Sequence, residues 1–148
     1  MITELTAKTT SQELFDYITT FLLKQGEPSM DSKCECKYRS GKGLMCAFGC
    51  VIPDSIYRKS MENILAASVI TDGIGGNYSK DNIDYFKALS KHRDLLERLQ
   101  SVHDSATTSD VQGSKNRDLY RSRVRAYWIK KFGEIATKSK LKFTPPTL

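Results

Sequence analysis

Leu14, Tyr17, Ile18, Phe21 and Leu22 recur at i, i+3, i+4, i+7 and i+8, which lays one apolar face along a helix. Thr10 and Glu13 have the spacing of a capping box, Gly26 can supply a left-handed C-cap, and Pro28 blocks continuation. Further on, the pattern changes. Residues 34–39 and 44–52 are of strand length, and Ser40-Gly41-Lys42-Gly43 between them suits a tight turn, so a β-hairpin is predicted over about 34–52, ended by Pro53-Asp54. Cys46-Ala47-Phe48-Gly49 could equally begin a helical turn. Tyr57–Ile70 reads as a short helix with Met61, Ile64, Leu65 and Val69 on its apolar side. The glycines of 71–77 read as a mobile connector, because they lack the spacing and the lysine of a phosphate-binding loop.

Leu89, Leu95, Leu96, Leu99 and Val102 predict a helix over 83–102, with a break near Ser90-Lys91. A polar loop at 104–116 separates it from a last helix over about 117–138, whose stripe is Tyr120, Val124, Tyr127, Trp128, Phe132, Ile135 and Ala136. Pro145-Pro146 exclude a helix in the tail. The chain of 148 residues is therefore expected to be one α+β domain, mainly helical with a small hairpin, with flexible tails at 1–10 and 140–148.

Composition narrows the class. At 39% apolar and 27% charged residues, the chain suits a globular protein rather than a disordered one. No apolar window reaches the ~18 residues of a membrane span, and the N-terminus has no basic, then apolar, signal pattern. A cytoplasmic setting with four reduced cysteines follows as the expectation; a domain of this size needs no disulfide staples. The net charge of +6 is uneven: residues 115–142 hold ten basic residues against two acidic ones, a local +8 that leaves −2 for the rest. An anionic partner at a basic C-terminal element is the natural expectation.

The candidate chemistry lies in two places. Cys34, Cys36, Cys46 and Cys50 could share one face of a hairpin and hold zinc, although C-x-C and C-x3-C are unusual knuckle spacings. The same thiols could be half-buried small hydrophobes. Cys46 could instead be a nucleophile with His103 as base and Asp104 as orienter, in a hydrolase or transferase. His103 also suits a helix C-terminal cap, and His92 sits among charges and reads as solvated. On the basic helix, Arg121, Arg125, Lys130 and Lys131 are candidate phosphate contacts, with Arg123 and Lys138 beside them, and a solvated face is the alternative. Arg39 could fork onto a phosphate or pair with Asp54. No helix-turn-helix, RNP or zinc-finger pattern points to sequence-specific readout.

The run Cys36-x-Tyr38-Arg39, a glycine turn, Cys46-Ala47-x-Gly49-x-x-Ile52-Pro53-Asp54-x-x-Tyr57 and the downstream Leu99-Gln100-x-x-His103-Asp104 resemble a motif of small uncharacterised bacteriophage and prophage proteins. These also open with a helix ending in Gln-Gly, as Leu14-Phe15 to Gln25-Gly26 does, so the resemblance covers most of 11–104. It implies a phage or prophage origin and no assigned activity. Cys36 and Cys46 match the motif; Cys34 and Cys50 fall at variable places, which disfavours a four-cysteine site. The resemblance adds Tyr38 to Arg39 as a binding candidate, and makes Tyr38, Arg39, Cys46, Asp54, His103 and Asp104 one expected polar cluster joining hairpin and helix. The reading that results is a small non-catalytic accessory protein of the host cytoplasm. It would bind a host protein, a nucleic acid or a nucleotide, without a cofactor; the cysteine enzyme and the zinc module are the alternatives.

Overall fold

A computed structural model describes residues 5–106 and 116–147. Its elements are α1 (Ser11–Gln25), α2 (Ala66–Gly75), α3 (Lys80–Ser90), α4 (Arg93–Ser105) and α5 (Arg117–Ser139). α1 forms as its pattern requires. The Thr10 N–H donates to Glu13 Oε2 (2.8 Å), the Glu13 N–H donates to Thr10 Oγ1 (3.2 Å), and Gly26 ends the helix at φ 69°. α5 is the spine against which α1 and α4 pack. Its fully buried Trp128 stacks on Phe132 with ring centroids 6.3 Å apart, and Phe143 from the tail wedges edge-on between Phe132 and Phe15 at 6.2 and 5.7 Å. An indole buried this completely contributes on the order of 3–5 kcal/mol.

The predicted hairpin does not form, and the expectation of an α+β fold is corrected to a mainly helical one. Among the described residues there is no strand, only the isolated antiparallel bridges Met30–Cys36 and Arg39–Met45. The turn itself is present: Gly43 N–H donates to Ser40 O (3.0 Å) with Gly43 at φ 75°. What is missing is the ladder. The N–H groups of Tyr38 and Arg39 donate to the two carboxylate oxygens of Glu62, at 2.9 and 3.0 Å, instead of to a strand partner. On the other arm, Cys50 N–H donates to Cys46 O (3.0 Å) and Val51 N–H to Phe48 O (3.2 Å), so the chain coils into a 3-10 turn at Gly49–Val51. Gly49 permits this, because a Cβ there would lie 2.0 Å from the Tyr38 carbonyl oxygen.

The next region is shifted rather than lost. The helix predicted over 57–70 is reduced to a 3-10 turn at Lys59–Met61, and α2 begins only at Ala66. Glu62 is extended to reach Tyr38 and Arg39, and Asn63 sits at φ 64°, so no helix can run through them. Ile64 and Leu65 are consequently exposed. The predicted connector at 71–77 is helical to Gly75. Gly73 lets α3 close on α2: a Cβ there would meet the Phe86 ring at 2.3 Å. The break at Ser90-Lys91 is observed between α3 and α4. α4 runs through Ser105, and most of the polar loop expected at 104–116 (residues 107–115) lies outside the described residues, as do positions 1–4 and 148 of the expected tails. No helix among the described residues is long and apolar enough to cross a membrane.

Candidate functional site

The motif residues form two groups rather than one, the first on α4 and the second around Arg39. In the first, His103 is fully buried and stacked on Trp128 at 5.9 Å. The Ser29 backbone N–H donates to His103 Nε2 (2.9 Å). A backbone N–H can only donate, so Nε2 is unprotonated, and the ring proton lies on Nδ1, facing Asp104 Oδ1 at 2.9 Å. The same Asp104 oxygen accepts from Gln100 Nε2 (2.7 Å), and Gln100 Oε1 accepts from the Phe48 N–H (3.0 Å). Cys36 hydrogen-bonds this carboxylate as well; burial first, then the Asp104 charge, pushes its thiol up to about 12. One helical turn thus fastens three loop positions, at Ser29, Cys36 and Phe48.

This arrangement differs from a Cys–His active site. Both His103 nitrogens are already engaged, one with Ser29 and one with Asp104. Cys46 is fully buried, its Sγ accepts from the Gly49 N–H (3.2 Å), and burial pushes its thiol up to about 12. A nucleophilic cysteine needs the opposite shift and an accessible sulfur.

A zinc cage fares no better on geometry. Cys50 is buried with its thiol donating to Ala47 O (3.3 Å), whereas Cys34 is exposed at φ 63°. Among the described residues, the ligating atoms that do gather, within 4.8 Å of one another, belong to Cys36, His103 and Asp104. A cation at Nδ1 would require the proton to move to Nε2, where it would meet the Ser29 N–H head-on. As arranged, these residues do not fit a metal.

The second group surrounds Arg39. Its guanidinium pairs with Asp54 (2.6 Å), donates to the Ile52 carbonyl and lies over the Tyr57 ring, 4.3 Å from the centroid. The Tyr57 hydroxyl donates to Glu62 Oε1 (2.8 Å), and burial raises that phenol to about 12. Tyr38 is buried with its hydroxyl on the Ile64 carbonyl, and burial raises its pKa too. Tyr38 and Arg39, read as binding candidates, are thus engaged within the fold.

The basic helix divides in the same way. Arg121 and Arg117 (2.8 Å) both pair with Glu27. Burial works to raise the Glu27 pKa, but the two guanidiniums outweigh it and hold the carboxyl below its ordinary value. Arg125 donates to the Leu23 and Lys24 carbonyls at 2.9 and 3.3 Å, closing the C-terminus of α1, and lies against Gly26, where a Cβ would meet it at 2.8 Å. Lys131 pairs with Glu134 at 2.9 Å. Lys130 stays exposed, as do Arg123, Lys138, Lys140 and Lys142, and none of these five makes an ion pair among the described residues.

Two open clefts flank α4. One, of about 370 Å³, lies between the start of α1, the α3–α4 junction and the end of α5. The other, of about 810 Å³, runs between α4 and α5. His92, read as solvated, is instead 8% exposed at the wall of the smaller cleft. Its Nε2 faces the Thr9 carbonyl at 2.9 Å, an acceptor only, so Nε2 donates there, and Nδ1 is hydrogen-bonded to the Ser11 hydroxyl (3.1 Å).

No family model, curated protein or solved structure matches the chain. Sequence reasoning missed Ser29, Glu27 and Glu62, whose roles depend on what folds against them. Gln100 and Gln25 carried a signal within the motif that was not used; Gln25 brackets Met45, accepting from its N–H and donating to its carbonyl, each at 2.9 Å.

Proposed function

We propose that the protein is a small non-catalytic binding protein that engages an anionic partner, nucleic acid or nucleotide, through the C-terminal basic element. On the motif resemblance, we read it as a phage or prophage accessory protein acting inside the host. The observation that carries this reading is the division of labour on α5 and its tail. Arg117, Arg121 and Arg125 are tied to Glu27 and the end of α1, and Lys131 pairs with Glu134 on its own helix, whereas Arg123, Lys130, Lys138, Lys140 and Lys142 are exposed without ion-pair partners among the described residues. Unpaired surface cations concentrated on one element attract phosphates without sequence preference. The engagement of Cys46 and His103 within the core supports a non-catalytic role.

The test is binding of a random-sequence single-stranded oligonucleotide by fluorescence anisotropy over a salt series. Five phosphate contacts on a single strand give a log–log salt slope of about −3 to −4. No binding at low salt would refute the proposal.

A further inference from the structure

We infer that the smaller cleft is a seat for a phosphate monoester. This rests on the anionic-partner reading and gives it an address. The larger groove is the weaker candidate: Arg98, Lys131 and Lys138 line it, but so do Asp94, Glu97 and Glu134, and the charges cancel. The smaller cleft is lined by Lys91, Arg93 and Arg98 against the single carboxylate of Asp94, with the hydroxyls of Ser11, Ser90 and Ser139 around them. Its lining carries a net of two positive charges, with Glu97 paired to Arg93 just outside it, and this suits a phosphate monoester, which carries about −1.5 to −2 at neutral pH. Its volume of about 370 Å³ is at the small end for ligand sites, enough for a phosphate and a sugar.

The cations are held in ways that a phosphate can displace. Lys91 reaches the Ala7 carbonyl and Arg98 the Ser139 hydroxyl, both at a long 3.3 Å. Arg93 pairs with Glu97 at 3.3 Å with both side chains about half exposed, an arrangement worth little in water. Charge-assisted bonds to phosphate are shorter and about twice as strong as neutral ones. The walls, by contrast, are fixed. His92 ties Ser11 and Thr9 to the α3–α4 junction, and the Lys142 N–H donates to Gln12 Oε1 (2.8 Å), holding the tail against α1. Ser139 and Leu141 line the cleft, so the exposed Lys138, Lys140 and Lys142 alternate with its wall and extend its field along the tail.

A phosphate monoester occurs on a free nucleotide or at the 5′ end of a strand, and two arms separate these sources. In the first, 5′-phosphorylated and 5′-hydroxyl strands of one sequence are compared by anisotropy. The expected result is about tenfold tighter binding of the phosphorylated strand, a preference of about 1.4 kcal/mol, abolished in the Arg93→Gln/Arg98→Gln double variant. In the second, a nucleoside monophosphate is titrated into the isotope-labelled protein. Amide shifts at Ser90–Leu95 and Ser139–Leu141, absent in the double variant, support the inference. Circular dichroism checks the variant's fold, and Lys91→Gln/Arg93→Gln substitutes if it is unstable. Equal, salt-dependent binding of both strands with no monophosphate shifts overturns the cleft and leaves the polyanion reading standing. No strand binding overturns the polyanion reading, and the monophosphate arm then decides the cleft alone.

Discussion

Around His103, each ring nitrogen has a partner, the ring lies flat on a buried indole, and one carboxylate gathers donors from α4 and from Cys36. Around the smaller cleft, three cations face solvent on long or exposed contacts. The first region contains the side chains with the most reactive chemistry, and it uses them as fasteners. The second contains ordinary surface charges, and these remain available to a partner. Chemical reactivity by residue type is therefore a poor guide to function here; what counts is whether hydrogen-bonding capacity has already been spent inside the fold.

The comparison breaks most visibly in thiol reactivity. With the Cys36 and Cys46 thiols raised to about 12, their thiolate fraction at pH 7 is about a thousandfold below that of an unperturbed cysteine. One fast-reacting thiol per native chain is expected, at the exposed Cys34, with the others released on unfolding. Rapid labelling of Cys46 in the native protein, read by peptide mass mapping, would return it to the list of nucleophiles.

Substitution at the hub comes next. His103→Ala removes a buried ring and leaves the Ser29 N–H without an acceptor, so a loss of about 3–5 kcal/mol is expected in urea unfolding. A loss under 1 kcal/mol would mean that the hub does not hold the fold. Removing Arg93 and Arg98 should leave stability within about 0.5 kcal/mol, because both are exposed.

A loss smaller than the hub's sharpens the division on α5. Glu27→Gln weakens two guanidinium contacts at a mostly buried position and is expected to cost about 1–3 kcal/mol at pH 7. The Glu27 carboxyl is held below its ordinary value in the folded state, so its contribution is fully present above the unfolded pKa of about 4.3. That contribution fades as pH falls from there through the folded value. Urea unfolding between pH 7 and pH 3 should therefore show the gap between wild type and Glu27→Gln narrowing. A constant gap would show that the Arg117 and Arg121 pairs do not stabilise the charged form.

Much of the helical frame could be read locally. The capping box at Thr10 and Glu13, the left-handed Gly26, the break near Ser90-Lys91 and the α5 stripe each depend on neighbours within a few residues. The segment from 29 to 65 could not be read this way. Its Tyr38 and Arg39 backbone donors are taken by Glu62, its chain closes through Gly49 against Tyr38, and its middle is pinned at Met45 by Gln25 and at Phe48 by Gln100, all separated from their partners by 11 or more residues. A run of strand length becomes a strand only where a partner strand takes its backbone donors, and here the Glu62 carboxylate takes those of Tyr38 and Arg39 instead.

The candidate site shows the same boundary. The sequence alone determined that the chain carries a basic C-terminal element, that His103 and Asp104 are adjacent, and that Arg39 and Asp54 are available to pair. Only the tertiary structure decided that His103 is locked by Ser29, that Arg121 and Arg125 are spent on α1, and that Lys91, Arg93 and Arg98 converge on one cleft. The reason is physical. Charge and helical periodicity are properties of a residue and its near neighbours. Whether a polar group is satisfied or free depends on the distant segment that folding brings against it.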